Sequence, residues 1–281
     1  MSQDLSALPP LRDIIRENDL RAEKKLGQNF LLDLNLTDKI VRAAGNLSDT
    51  HVIEIGPGPG GLTRSLVKSR AQKITAIEYD MRAIQALQSL TEVAEDRLEV
   101  FHGDALETDL KNLAKKPRAI VANLPYNIAT PLLIKWLEDV YNDSNAYQSM
   151  TLMFQKEVAQ RIVAGIGDKA YGRLAVIAQW LCDVQLSFDV PASAFTPPPK
   201  VTSSIVYFQP KKERISNPSF KAVEKITSEA FGQRRKMIRS SLKKYQSLFD
   251  GLGLDETLRA ENLTVENFIC LAQKAEENNL L

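Results

Sequence analysis

Four consecutive residues, Asn123-Leu124-Pro125-Tyr126, place an unusual set of polar groups at one corner of the chain. They follow the apolar run RAIVA at 118–122, which reads as a buried parallel strand opening into a loop at its carboxyl edge. Open α/β sheets build their sites at that edge. The Asn123 side-chain oxygen and the Leu124 carbonyl can together accept both hydrogens of an exocyclic amine. Pro125 keeps Leu124 extended and so fixes where that carbonyl points. Tyr126 can stack on the ring that carries the amine. Adenine's amine is a poor nucleophile because its lone pair is delocalised into the ring. Acceptors on both hydrogens favour the pyramidal nitrogen that attacks a methyl donor, where positive charge develops. The same tetrapeptide also serves as an ordinary proline turn after a strand, and taken alone it favours that reading.

The elements that must position this corner lie upstream. HVIEI (51–55) reads as a short strand, followed by Gly56-Pro57-Gly58-Pro59-Gly60-Gly61 and a helix from Leu62. Glycines let the backbone turn sharply and approach a ligand, and the helix start offers free N–H groups. ITAIE (74–78) is a second strand with Glu78 at its carboxyl end, 22 residues after Gly56, where a carboxylate can accept both ribose hydroxyls of a nucleoside. Asp80 reads as the N-cap of the next helix. LEVFHGDA (98–105) is a third strand ending in Asp104, placed to accept a hydrogen bond from an adenine amine. Gly56, Gly58 and Gly61 formally match GxGxxG, so a nicotinamide dehydrogenase is an alternative. Two prolines inside the loop make its backbone differ from the usual dinucleotide turn, and Asp104 and the Asn-Leu-Pro-Tyr corner have no role in hydride transfer but do have roles around S-adenosylmethionine.

The composition is that of a soluble globular chain: 281 residues, 44% hydrophobic and 25% charged. No apolar stretch approaches a membrane span, and the acidic, proline-containing start does not resemble a signal peptide. Cys182, Cys270, His51 and His102 are scattered without ligand spacing, so no metal site is expected. Few cysteines and no export signal point to the cytoplasm. The net charge of +1 conceals an asymmetry: residues 211–250 hold 11 Lys and Arg against 4 Asp and Glu. Such a concentration suits contact with a polyanion.

Further along, residues 129–140 read as an amphipathic helix, 150–154 as a fifth strand, and 184–188 and 203–208 as a late strand pair. The helix at 171–182 is expected to pack on the sheet. PASAFTPPPKV (191–201) is stiffened by three consecutive prolines, and either presents Phe195 or buries it as part of a rigid connector. The polar segment 210–218 reads as the domain boundary, with helices beyond it. In FGQRRKMIRSSLKKY (231–245), helical spacing sets Lys236, Arg239 and Lys243 beside a face formed by Phe231, Ile238 and Leu242. A basic stripe is often only a solvated surface; the local charge excess favours RNA binding.

Together, LGQNFL, EIGPGPGGLT, the strand ends at Glu78 and Asp104, NLPYN, QKEVAQR, YGRLAV, AFTPPPKV and the RRK cluster resemble the KsgA/RsmA family, the small-subunit ribosomal RNA adenine dimethyltransferases. The match runs from about Lys24 to the C-terminus. The resemblance implies an α/β fold: a class I, Rossmann-like methyltransferase sheet with one antiparallel strand near its edge, over residues 1–210. It implies a small all-helical C-terminal domain over 211–281 that binds RNA. It also implies S-adenosyl-L-methionine as cofactor, with Asn29, Leu31, Gly56 and Gly58 near its methionine end, Glu78 on the ribose and Asp104 on the adenine. Asn123, adjoining the cofactor, and the Leu124 carbonyl would receive the target amine. Tyr126 and Phe195 would sandwich a base that has left its stack. Arg234, Arg235, Lys236, Arg239, Lys243 and Lys200 are the candidate RNA contacts.

The reaction implied is direct in-line methyl transfer to adenine N6, twice on the same nitrogen, without a covalent enzyme intermediate or a metal. The substrate would be adjacent adenosines near the 3′ end of 16S-type RNA in a pre-30S-type particle, modified by a monomer. The large-subunit branch linked to macrolide resistance shares the corner, but the FTPPPKV segment and the basic cluster look more like the small-subunit branch. A ribosome assembly factor whose binding outweighs its chemistry is the reading from another class.

Overall fold

The apolar runs of the sequence become one central sheet. The computed structural model describes residues 5–20, 28–214 and 216–281. Nine strands form among them: β1 (Phe30–Leu31), β2 (His51–Ile55), β3 (Lys73–Glu78), β4 (Leu98–His102), β5 (Arg118–Asn123), β6 (Ser149–Gln155), β7 (Cys182–Val190), β8 (Phe195–Thr196) and β9 (Ser203–Pro210). Seven make a single sheet in the order β4-β3-β2-β5-β6-β9-β7. Neighbours from β4 through β6 run parallel, and β9 lies antiparallel to β6. β1 and β8 form a separate antiparallel pair, Leu31 opposite Phe195.

β2 is buried along its whole length and β5 along all but its last residue, as expected for strands covered on both faces. The strand order reverses between β2 and β5, so a crevice opens at the carboxyl ends of these strands. Helix starts near this edge are set by local chemistry. Asp33 caps the helix Leu34–Ala43 through Asn35 and Leu36, and Asp80 caps Met81–Ala86 through Arg82, the latter as the sequence predicts. Among the described residues no helix is long and apolar enough to cross a membrane.

The chain forms two compact units: Met1–Ala159 with Gln185–Gln209, and Gln160–Val184 with Pro210–Leu281. The division differs from a single boundary near residue 210, because the second unit also takes in residues 160–184. The helix Arg173–Leu181 packs against Phe220–Gly232 and Val265–Glu277. Its Trp180 stacks on Phe220, with centroids 6.3 Å apart, and Phe231 sits between Tyr171 and Phe268. The apolar length of that helix follows from burial among helices as well as from burial against a sheet.

The continuous helical stripe expected over 231–245 does not form. The helix from Phe220 ends at Gly232, an exposed turn follows, and Ile238–Ser241 makes a separate short helix. The N–H groups of Ile238 and Arg239 are drawn instead to the carbonyls of Leu258 and Glu256. Tertiary backbone pairing thus outcompetes local helix continuation, and Lys236, Arg239 and Lys243 do not share one helical side.

Candidate active site

A cavity of about 210 Å³ opens at the carboxyl edge of β2, β3, β4 and β5. It is lined by Asn29 and Leu31, the glycine loop from Gly56, Glu78, Asp104, and the corner Asn123 to Tyr126. All the residues predicted for the cofactor therefore meet there, together with four of the five predicted for chemistry.

The loop after β2 is shaped by close approach. Gly58 has φ +54°, and a Cβ there would lie 2.9 Å from the Phe30 ring. At Gly61 a Cβ would lie 2.2 Å from the Leu31 carbonyl oxygen, so only glycine lets this helix start meet β1. Glu78 is buried, and its carboxylate accepts hydrogen bonds from the N–H groups of Gly58, Tyr79 and Asp80 at 3.1, 2.8 and 2.9 Å. The carboxylate therefore ties the glycine loop to the end of β3. Burial pushes its pKa up, against the opposing pull of these three donors.

Asp104 lies just past the end of β4, two residues beyond the strand's last residue, His102. Its Oδ1 accepts from the Leu106 N–H at 2.8 Å, and Oδ2 has no protein partner among the described residues. An acceptor is thus left on the cavity's edge.

At the corner, Asn123 Nδ2 donates to the Asn29 carbonyl at 3.1 Å, which leaves Oδ1 as the acceptor. The Leu124 carbonyl takes no hydrogen bond from the described residues, while the Pro125 carbonyl accepts from Ile128 N–H. Two unsatisfied acceptors on adjacent residues suit a donor with two hydrogens, such as an amine. Tyr126 is half-buried, and its hydroxyl is 2.6 Å from Ser203 Oγ on β9. That contact holds the ring, and burial raises the phenol's pKa.

Phe195 is the exception. It is 3% exposed and packed in the core with Leu31, Val190 and Ile205, and it does not line the cavity. Pairing of β8 with β1 turns the ring inward, so Phe195 props β1 rather than offering a face to a base. The connector alternative describes it.

The basic candidates are all exposed, but they are not equivalent. Arg234 Nη2 donates to the carbonyls of Lys169 and Tyr171 at 2.7 and 3.0 Å and lies 3.5 Å from Glu261, so it clamps its own unit. Arg239 lies 3.8 Å from Glu256. The side chains of Arg235, Lys236, Lys243 and Lys200 have no protein partner among the described residues.

Glu54 was not singled out from the sequence. It sits in the middle of β2, is 1% exposed, lines the cavity, and leaves Oε2 without a hydrogen bond. Burial pushes its pKa up to about 8. An acid flanked by isoleucines in a buried strand was the available signal, since such a group needs a partner to justify its cost. Ser203 could not be read this way, because a serine in a strand carries no mark of its contact.

A doubly wound sheet whose glycine-turn cavity is lined by strand-end carboxylates and by a corner with two free acceptors has the architecture of a nucleoside-cofactor methyltransferase. The acceptors left on its lining, Asp104 Oδ2 and the unpartnered Glu54 Oε2 among them, fit the hydrogen-bond donors and positive charge of S-adenosylmethionine. A model of the ribosomal RNA adenine dimethylase family matches residues 19–277, and the chain belongs to that family. It is 52% identical to the ribosomal RNA small subunit methyltransferase A of Mesorhizobium japonicum, covering 95% of this chain and 98% of that one. It is 49% identical to the protein of the same name from Rhodospirillum rubrum, over 96% and 93% of the two chains. A dimethyladenosine transferase from Plasmodium falciparum superposes with a TM-score of 0.75 at 28% identity, over 89% of this chain and 98% of that one. The 23S rRNA methyltransferase ErmE superposes with 0.66 at 25%, over 88% and 100%. The protein is a methyltransferase of ribosomal RNA adenine, with S-adenosylmethionine as cofactor. The dehydrogenase alternative is excluded.

Proposed function

We propose that the substrate is small-subunit ribosomal RNA, dimethylated at N6 of adjacent adenosines near its 3′ end during assembly of a pre-30S-type particle, by a cytoplasmic monomer. The names of the relatives at 52% and 49% identity support the small-subunit choice. The chemical reading rests above all on one observation: Asn123 gives its amide N–H to Asn29 and keeps Oδ1, beside the unpartnered Leu124 carbonyl.

Each group then has a role. Asn123 Oδ1 and the Leu124 carbonyl accept the two hydrogens of the target amine and favour charge developing on its nitrogen. Tyr126, steadied by Ser203, stacks on the extruded base. Glu78 holds the ribose and Asp104 the adenine of the cofactor, with Asn29, Leu31, Gly56 and Gly58 around its methionine end. When bound, the cofactor supplies an electrophilic methyl group on a sulfonium. Catalysis is mostly positioning and electrostatic support, and water takes the proton from the methylated amine. The first unit carries the cofactor and the chemistry, and the exposed lysines and arginines of the second contact RNA phosphates.

Nucleoside mass spectrometry of separated ribosomal subunits from cells lacking the gene tests this reading. Wild type should restore dimethyladenosine to small-subunit RNA, and Asn123→Ala should not. Restoration in large-subunit RNA alone would overturn the substrate assignment.

A further inference from the structure

Lys135 lies on the helix Ala129–Asn142, which begins immediately after the cavity-lining residues Asn127 and Ile128. Its ammonium donates to three backbone carbonyls, those of Ala105, Leu106 and Thr108, at 3.2, 2.6 and 2.8 Å. An ammonium has three donors, so all three are used. The carbonyls converge because the chain turns at Asp104, whose own carbonyl accepts from the N–H groups of Glu107 and Thr108. Ala105 and Leu106 line the cavity beside Asp104.

A helix-surface lysine ordinarily reaches water or an acid. Asp139, one turn further along the same helix, instead takes Lys111 and the Tyr147 hydroxyl. No carboxylate among the described residues pairs with Lys135. Its charge is committed to the carbonyl side of the turn, while Asp104 Oδ1 binds the Leu106 N–H on the other. The ammonium and the Asp104 carboxylate therefore clasp the same short turn from opposite ends of its peptide dipoles.

We infer that Lys135 is a positioning residue for the adenine end of the cofactor. It fixes the turn after β4 so that Asp104 Oδ2 stays available, and it joins that turn to the helix leaving the Asn123–Tyr126 corner. The inference rests on the reading of Asp104 as the adenine acceptor. Removing the clasp should loosen recognition of the exocyclic amine without touching the groups that accept the target. The Michaelis constant for the cofactor should then rise while the saturated rate stays within about twofold, since the interaction lost holds the cofactor equally in the ground and transition states.

The test is calorimetric binding of S-adenosylhomocysteine and of S-inosylhomocysteine, which lacks the exocyclic amine, to wild type, Lys135→Met and Lys135→Arg. Wild type should prefer the adenosyl ligand by about tenfold or more, the scale of one hydrogen bond to a charged group. In Lys135→Met the preference should fall to about twofold, mainly through weaker adenosyl binding; Lys135→Arg should retain most of it. A general loss of structure would weaken both ligands alike. If Lys135→Met does not fold, Lys135→Gln is read on the same scale. Preference undiminished in the Met or Gln variant overturns the role of Lys135 alone. Equal binding of the two ligands to wild type overturns the Asp104 reading, and the inference with it.

Discussion

The side-chain nitrogen of Asn123 and the backbone carbonyl of Asn29, 94 residues apart, share a hydrogen bond of 3.1 Å. It orients the amide, so the donor faces the protein and the acceptor is spared. Asn123→Asp keeps the shape and the acceptor but sets a carboxylate oxygen against the Asn29 carbonyl. The single-turnover rate of methyl transfer should fall by about 10²–10³, the cost of losing one aligned electrostatic contact. Cofactor binding should change far less. A rate near wild type would mean that the orientation of this amide does not matter to the chemistry.

Tyr126 and Phe195 should separate into different kinds of residue. Tyr126→Ala should weaken RNA binding by about 1–3 kcal/mol through the lost stacking face. Tyr126→Phe and Ser203→Ala remove the same hydrogen bond, so their effects on kcat/KM should not add in the double variant. Phe195→Ala should instead cost about 3–5 kcal/mol of stability in urea unfolding, as expected for a large ring removed from a core. A stable Phe195→Ala protein with weakened binding of the target base would restore the sandwich.

Glu54 makes the stability of the cofactor-free protein depend on pH. Its folded pKa of about 8 lies above its ordinary value of 4.5, so between these values the native state holds a proton that the unfolded chain has released. Stability contributed by the neutral acid is full below 4.5 and declines towards pH 8, by up to about 1.4 kcal/mol per unit for one proton. His51, whose pKa burial lowers from 6.5, acts with the opposite sign below that value. Denaturant melts of wild type and Glu54→Gln from pH 6.5 to 8 isolate the acid. The wild-type slope should be the more negative, and parallel slopes would assign no proton to Glu54.

Among the basic residues, those without protein partners should carry the salt dependence. Substituting Arg235, Lys236 and Lys243 together by Gln should lower the slope of log affinity against log salt by about two, at about 0.7 per phosphate for single-stranded RNA. The fold and S-adenosylmethionine binding should be unchanged. Arg234→Gln should act mainly on stability, because its guanidinium holds the carbonyls of Lys169 and Tyr171. An unchanged slope in the triple variant would make the turn a solvated surface. The alternative platform at Lys24 and Lys25 lies outside the described residues, whereas Lys200 is exposed and can be tested alongside.

The parallel strands, the glycine turn, the strand-end carboxylates and the Asn-Leu-Pro-Tyr corner were all legible in the chain itself. Each depends on local periodicity, on a backbone conformation that few residues adopt, or on a fixed distance from a strand end. Glu78 and Asp104 could be placed because a parallel sheet brings successive strand ends to one edge. Local chemistry also set the cap at Asp80.

Only the tertiary structure decided which way the remaining side chains faced and what they met. Phe195 turns inward because β8 pairs with β1, two strands separated by most of the first unit's sequence. The basic segment breaks at Gly232 because distant carbonyls of Leu258 and Glu256 take the N–H groups that a longer helix would have used. The helix at 173–181 packs among helices because an apolar stripe specifies burial without naming its partner. Asn123, Ser203 and Lys135 acquire their contacts from residues far along the chain or in a neighbouring turn. Residue type sets what a polar group can donate or accept; the packed fold alone sets which partner stands within hydrogen-bonding reach.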